Sequence, residues 1–394
     1  MKYLSLLFIF IFIQCQQHND KIEICDKKIK INPNSAKTLK YSEIFQECDI
    51  IPLYKDKNNI ITRPDKIEIK DSIIYFANNK NLYGYDLNGN CKIKINKQGN
   101  GPGEYLSIAD FIINDKIEIN DRDGRKLFIY DFNGNHMGNF NHNLYSYTFI
   151  KKDNKYYFNS GCLYNDETNN NCRVNIFNEK NKVIKQSYFE IDKYEREINI
   201  IEYSNFALFD DTISFSYCLS DDIYCINKEN LIKRLHIDFG NYSLPETFIK
   251  EHNDLNIFME EIKKVKYATL IDGYKESSNY LFFSYAFNGK RIFTLYNKKK
   301  DKIHNFNEFE DDIFMPEINF QTKYSELPLL LTNNSLYRII EANIFLEKIE
   351  ELKKKKSLVE WNKYLRENPK IDKIYSEISP EDNHILIKYK FKEI

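Results

Sequence analysis

Short runs in which apolar side chains alternate with polar ones dominate the chain, and that period places one face of an extended strand against a core. Ile385, Ile387, Tyr389 and Phe391 show it near the C-terminus. The pattern predicts strands at Asp65 to Lys70, Ser72 to Ala77, Leu82 to Leu87 and Cys91 to Asn96. It predicts a second set at Ala109 to Asn114, Lys116 to Asn120, Lys126 to Phe132 and His136 to Phe140. The period lengthens to that of a helix only near 245–265 and 340–366. Two strands, Cys48 to Tyr54 and Ile385 to Phe391, have no local partner.

Self-similarity organises these strands. Tyr85-Asp86-Leu87-Asn88-Gly89-Asn90 recurs 45 residues later as Tyr130-Asp131-Phe132-Asn133-Gly134-Asn135. Weaker copies begin at Phe177, Ile226 and Tyr296. Asn and Gly tolerate the positive φ of a two-residue hairpin loop, so each copy is expected to join two strands. Several short strands in a unit of this length are the sequence signature of a propeller blade. The expected fold is therefore all-β, a six-bladed β-propeller of four-stranded blades. Blade 3 spans about Tyr145 to Ile191, blade 4 Ile200 to Phe239, blade 5 Lys266 to Phe309 and blade 6 starts at Glu317. The two unpartnered strands are expected to complete blade 6 together, closing the ring and hiding its edges.

These residues carry a family resemblance. Ile119 to Leu127, running into Tyr130 to Gly134, resembles the NHL repeat. Ile51-Pro52-Leu53, the linker Gly99-Asn100-Gly101-Pro102-Gly103-Glu104-Tyr105, the C-terminal helix and the terminal strand together resemble the six-bladed β-propeller lipoproteins of Bacteroidetes. The resemblance implies an exported, membrane-anchored propeller and brings no activity to particular residues.

The N-terminus agrees with export. Lys2 precedes an apolar run, Leu4 to Ile13, that is too short to span a bilayer and ends at Gln14-Cys15. The expected organisation is a lipoprotein-type signal peptide at 1–14 and a tether and N-terminal segment at 15–45. The propeller then occupies 46–394, with Cys15 carrying the lipid. Gln14 stands where a small residue is preferred, and an ordinary cleaved signal is the alternative. The expected location is the cell envelope, lipid-anchored in the outer membrane.

Composition narrows the partners. With 57 basic and 58 acidic residues the net charge is -1, so the chain has no global field to attract nucleic acid. The 29 Tyr and 29 Phe suit strands. Seven histidines lack metal-ligand spacing, and His136, His236 and His304 fall in outer strands; no metal and no cofactor is expected. Asp121 and Asp123 begin like a calcium loop, but the later Gly and Glu are missing, which makes them a turn. The Lys353 to Lys356 run sits late in a helix, where cations complement the helix dipole. If Asp221-Asp222 is a two-residue loop, Cys218 and Cys225 lie opposite each other and a disulfide is permitted without being required. Cys162 and Cys172 could likewise bridge a polar loop. The alternative for all four is a buried small apolar residue.

No catalytic residue is assigned from sequence. Loops between second and third strands and links between blades emerge on one face of a propeller, and rigid scaffolds carry function on such loops. Leu163 to Asn171, Ser243 to Val265 and Gly99 to Tyr105 all fall there. The candidate binding face comprises Glu104, Tyr105, Asp121, Asp123, Arg125 and Tyr164. The expected function is a non-catalytic binding or scaffolding lipoprotein holding an envelope protein, peptide or glycan, with membrane contact through its N-terminal lipid. The alternative is a propeller hydrolase or lyase acting at the channel mouth.

Overall fold

The computed structural model describes residues 23–24, 27–55, 64, 66–78, 80–163, 165, 171–200, 205–227, 230–252, 254–315 and 327–393. The signal segment, Cys15, Tyr164 and most of Leu163 to Asn171 lie outside them. Among the described residues the chain forms six sheets, each built on four antiparallel strands. In chain order, sheet I runs from Ile67–Lys70 to Cys91–Asn96, sheet II from Asp110–Ile113 to His136–Asn141 and sheet III from Thr148–Lys152 to Val183–Glu190. Sheet IV runs from Phe206–Phe209 to Asn230–Asp238 and sheet V from Thr269–Glu276 to Lys302–Glu310. Sheet VI is composite, joining Leu330–Leu331, Ser335–Glu341 and His384–Phe391 to Phe45–Pro52, which pairs antiparallel with His384–Phe391. Tyr389 lies opposite Cys48 and Ile387 opposite Ile50 in that ladder.

The sheets follow one another around a common axis, each hydrogen-bonded to the next. Ile113 N donates to Glu68 Oε2 (2.8 Å) between I and II, and Phe149 N to Asp110 Oδ2 (2.9 Å) between II and III. Asn159 Nδ2 donates to Asn205 Oδ1 (2.7 Å), Ser214 Oγ to Glu276 Oε2 (3.0 Å) and Asn279 N to Asn333 Oδ1 (3.1 Å) across the next three junctions. The last junction, VI to I, is made by Tyr54 N to Gly89 O (3.1 Å) and Asn383 Nδ2 to Tyr85 OH (3.3 Å). Apolar side chains fill the space between neighbours, as where Tyr75 and Leu82 of sheet I pack with Phe111, Ile117 and Phe128 of sheet II.

The repeated Asn-Gly turn differs from the two-residue loop expected for it. Asp86 N bonds Asn90 O, so three residues are enclosed; Gly89 takes φ +87° and the ladder shifts register beside it. The Asp86 carboxylate accepts from Asn88 N and Asn90 N, both at 2.9 Å, and Asp131 repeats this with Asn133 N and Asn135 N. The bulged three-residue loop places its glycine in the left-handed region, and the leading Asp rather than the Asn closes it. Gly89 is also required by closure, because a Cβ there would stand 2.0 Å from Pro52 O of sheet VI.

Two additions were not expected from sequence. Glu23–Ile24 and Lys28–Lys30 lie parallel to the outer strand of sheet IV, and Lys37–Lys40 parallel to that of sheet V. Residues assigned to the tether and N-terminal segment thus form a strap along the rim that pairs two open edges before the chain enters sheet VI. Helices number six among the described residues: α1 (Lys193–Ile198), α2 (Glu246–Glu251), α3 (Leu255–Glu261), α4 (Ala342–Lys354), α5 (Leu358–Glu367) and α6 (Pro369–Glu377). The pairs α2/α3 and α4/α5 occupy the segments of helical period, whereas α1 and α6 add to them. Phe345, Ile349, Trp361, Ile371 and Ile374 of α4 to α6 share one apolar core with Tyr389 and Phe391 of sheet VI. No helix among the described residues is long and apolar enough to cross a membrane.

The cysteine geometry also departs from expectation. Sheet IV pairs Ser214 with Cys225, and Cys218 stands in the loop after Phe215. The connection to Asp222 is too long to be the two-residue hairpin that would set Cys218 against Cys225. Cys162 Sγ accepts from Arg173 Nη1 at 3.6 Å.

Candidate binding face and axial cavity

We call upper the end where each sheet passes to the next and where second strands turn into third strands. All six helices are on links or turns of that end. The opposite, lower end carries short hairpins; Asp71-Ser72 and Asp210-Asp211 turn there with both residues at positive φ.

The expected face residues separate into two groups. Asp121 is 1% exposed, and its carboxylate accepts from Leu106 N (2.9 Å), Ser107 N (3.3 Å) and Gly124 N (3.0 Å). It therefore ties the link between sheets I and II to the turn of sheet II. Tyr105 is wholly buried, its hydroxyl donating to Lys80 O (2.8 Å) with Ile95 O also in reach (3.2 Å). Glu104 folds back to accept from Gly101 N (2.8 Å), and its Oε2 would be 2.0 Å from a Cβ on Gly99. Asp121 and Tyr105 build the surface from beneath, and Glu104 is half-buried at its edge. An aromatic or a carboxylate on a Gly-rich link is indistinguishable in sequence from an exposed one, because its burial depends on the neighbouring sheet.

Asp123 and Arg125 remain accessible. Asp123 accepts from Ser107 Oγ (2.7 Å) and from Arg122 Nε (3.3 Å). The Arg125 guanidinium lies 5.0 Å from the Tyr145 ring centre, and that of Arg122 lies 5.4 Å from Tyr147. Tyr145 is exposed and is fixed by its own N–H, which donates to Asn165 Oδ1 (2.6 Å). Sequence reasoning missed Arg122 and Tyr145; their signal was proximity to Asp123 in the turn and to the next link. Beneath this patch His142 is buried, with Nε2 3.1 Å from Asn120 Oδ1 and Nδ1 accepting from Leu144 N (3.2 Å). Burial pushes its imidazole down to about 3, so the ring is neutral and structural.

On the axis the innermost strands enclose a cavity of ≈ 560 Å3, lined from all six sheets by residues including Ile67, Ile112, Phe149, Ala207, Glu276 and Leu330. Its buried carboxylates are engaged with the frame. Lys66 meets Glu68 Oε1 (3.0 Å), Asp110 Oδ1 (3.1 Å) and Phe111 O (2.6 Å). Burial opposes its charge, but Asp110 and Glu68 hold the ammonium well above the ordinary lysine range. Toward the lower end Glu276, with a side chain excluded from solvent, meets Arg234 Nη2 (2.6 Å) and Lys298 Nζ (2.5 Å) and accepts from Ser214 Oγ and the Tyr274 hydroxyl. Burial raises the Tyr274 hydroxyl far above its usual value, and the Glu276 charge adds to that. Among the described residues no group of three or more His, Cys, Asp or Glu is arranged to hold a metal ion.

A family profile described as a domain of unknown function (DUF4934) matches residues 26–390. No curated protein matches the chain. Among solved structures, a Bacteroides fragilis protein assigned as exported is similar over 94% of this chain and 100% of its own, with a TM-score of 0.70 at 14% identity, which shows a shared fold. A Bacteroides vulgatus member of the DUF4221 family is similar over 88% of this chain and 97% of its own, with a TM-score of 0.46 at 9% identity. A catalytically inactive virginiamycin B lyase from Staphylococcus aureus, solved with quinupristin, is similar over 74% of this chain and 96% of its own, with a TM-score of 0.42 at 12% identity.

Proposed function

We propose, because this chain belongs to the DUF4934 family and its sheets follow one another around one axis, that it is a six-bladed β-propeller acting as a non-catalytic binding module of the cell envelope. It is exported by the segment 1–14 and lipid-anchored through Cys15 to the outer membrane, and it holds a protein, peptide or glycan on its upper face. One observation carries this reading. The carboxylates around the axis accept backbone N–H groups and buried cations, whereas Arg122, Asp123, Arg125 and Tyr145 stand accessible on the elaborated end. Cations over aromatic rings beside a carboxylate suit a ligand that offers both hydrogen-bonding and apolar surface.

Two experiments test it. Metabolic labelling with a palmitate analogue should be lost in Cys15→Ala, and undiminished label would remove the anchor. Capture of envelope components by the intact chain should fall in Arg125→Glu with an unchanged melting temperature. If it falls equally in Lys92→Glu, on the outer strand of sheet I, the upper face is the wrong assignment.

A further inference from the structure

The rim strap leaves a cleft where it crosses from sheet IV to sheet V. After Lys28–Lys30 the chain makes one 3-10 turn, Pro33–Ser35, capped by Asn32 Oδ1 accepting from Asn34 N (3.0 Å), and re-enters as Lys37–Lys40. Ile29, Ile31 and Leu39 turn inward and are buried, which leaves Lys30 and Lys37 on the open side. The outer strand of sheet V supplies the other wall with Lys302 and His304. Asn305 Nδ2 and Ser35 Oγ both donate to Asn32 O, at 3.2 and 2.7 Å, and fix the floor. The resulting cavity is ≈ 370 Å3.

Three ammonium groups therefore face one cavity whose lining includes a single acid, Glu43. Among the described residues none of the three is in an ion pair, whereas Lys66, Lys151 and Lys298 each contact a carboxylate. His304 senses this field. Its proton affinity is lowered by burial and next by Lys302; Glu43 opposes the shift and Lys37 adds to it. Like charges gathered without a counter-charge are unfavourable, and a bound anion relieves that cost.

We propose that this rim cleft binds a multiply charged oxyanion, the terminal phosphate of a monoester, through Lys30, Lys37 and Lys302. Three lysines against one glutamate leave a net charge that matches a dianion, and lysine meets such groups as a point charge. The cavity beyond the lysines has room for the organic part of the ester. The group is presented either by a soluble ester or by a lipid headgroup. The site is independent of the upper face, so Arg125→Glu leaves it unchanged.

The test uses the full mature chain at low ionic strength. Inorganic sulfate and pyrophosphate should bind saturably, and Lys37→Gln/Lys302→Gln should weaken both by roughly tenfold or more. Both side chains are exposed, so melting should be unaffected, and Lys92→Gln serves as the control for nonspecific charge. Sulfate keeps its charge from about pH 5 to 8, so its binding should tighten as His304 protonates, a trend that His304→Gln removes without abolishing binding at high pH. Flotation with phosphatidic acid vesicles distinguishes the sources. Capture dependent on Lys37 and Lys302 assigns a headgroup, and pyrophosphate binding without vesicle capture assigns a soluble ester. Failure to bind sulfate, pyrophosphate and vesicles, or binding indifferent to Lys37→Gln/Lys302→Gln, overturns the proposal.

Discussion

The two ends of the ring are built by different means. At the lower end the turns are shaped chiefly by their own residues: Asp86 and Asp131 each cap a bulged loop from within, and Asp71-Ser72 and Asp210-Asp211 reverse direction in two residues. At the upper end the links are held by residues from elsewhere in the chain. Asp121 fixes a link 14 and 15 residues away, and Asn159 reaches Asn205, 46 residues on. An end made of such turns has little freedom to change, because each turn also sets the register of two strands. An end held by a few buried anchors can vary between them, and here it carries six helices and the Arg122 to Tyr145 patch.

The largest effect should come from opening the ring, on which both ends depend. Deleting 382–394 removes the third strand of sheet VI and strips the α4 to α6 core of Tyr389 and Phe391, and the protein should aggregate or lose its cooperative melt. A truncated chain that stays monomeric with an unchanged melting temperature would refute closure through Phe45–Pro52 and His384–Phe391.

Glu276→Gln should be next, since it leaves Arg234 and Lys298 without their counter-charge near the lower end. Removing one partner of a buried pair costs about 3 kcal/mol or more, read as a lower denaturation midpoint. An effect below about 1 kcal/mol would mean that solvent reaches the cluster.

The comparison of the ends is sharpened by two aspartates with similar local sequence. Asp121→Ala strips three backbone N–H groups of their acceptor in a buried setting and should cost about 2 to 3 kcal/mol. Asp86→Ala, at a solvent-accessible turn, should cost about 1 kcal/mol or less. Equal losses in chemical denaturation would remove the distinction between long-range anchors and local turns.

A smaller effect concerns pH. The folded chain keeps His142 neutral, with a pKa near 3 against 6.5 for a free imidazole. Its folded value is depressed, so protons bind the unfolded chain preferentially. The contribution is complete above about pH 6.5 and is lost as pH falls toward about 3. His142→Phe should flatten the acid limb of a stability profile by one proton, and an unchanged limb would place the titration elsewhere.

This division also explains what the sequence displays. Sheets I and II are readable because Asp-x-Asn-Gly-Asn is a local signal lying between alternating runs. The partnership of Phe45–Pro52 with His384–Phe391 was inferable from two strands without neighbours. The strap was hidden, since Lys28–Lys30 and Lys37–Lys40 are too short to signal a strand and are stabilised by parallel edges far along the chain. So was α6, which begins at Pro369 directly after the segment of helical period. For the binding face, loop position was legible and accessibility was not. Tyr105 and Tyr145 both sit on inter-sheet links, and only packing makes one an interior anchor and the other a surface ring.

Site-specific photo-crosslinking in intact cells tests the binding face most directly, with the reactive group placed at Tyr145 on the upper end or at Asp71 on the lower. A discrete adduct is expected from position 145 that disappears in Arg125→Glu, and none from position 71. A discrete adduct from 71 with none from 145 would contradict the upper-face assignment.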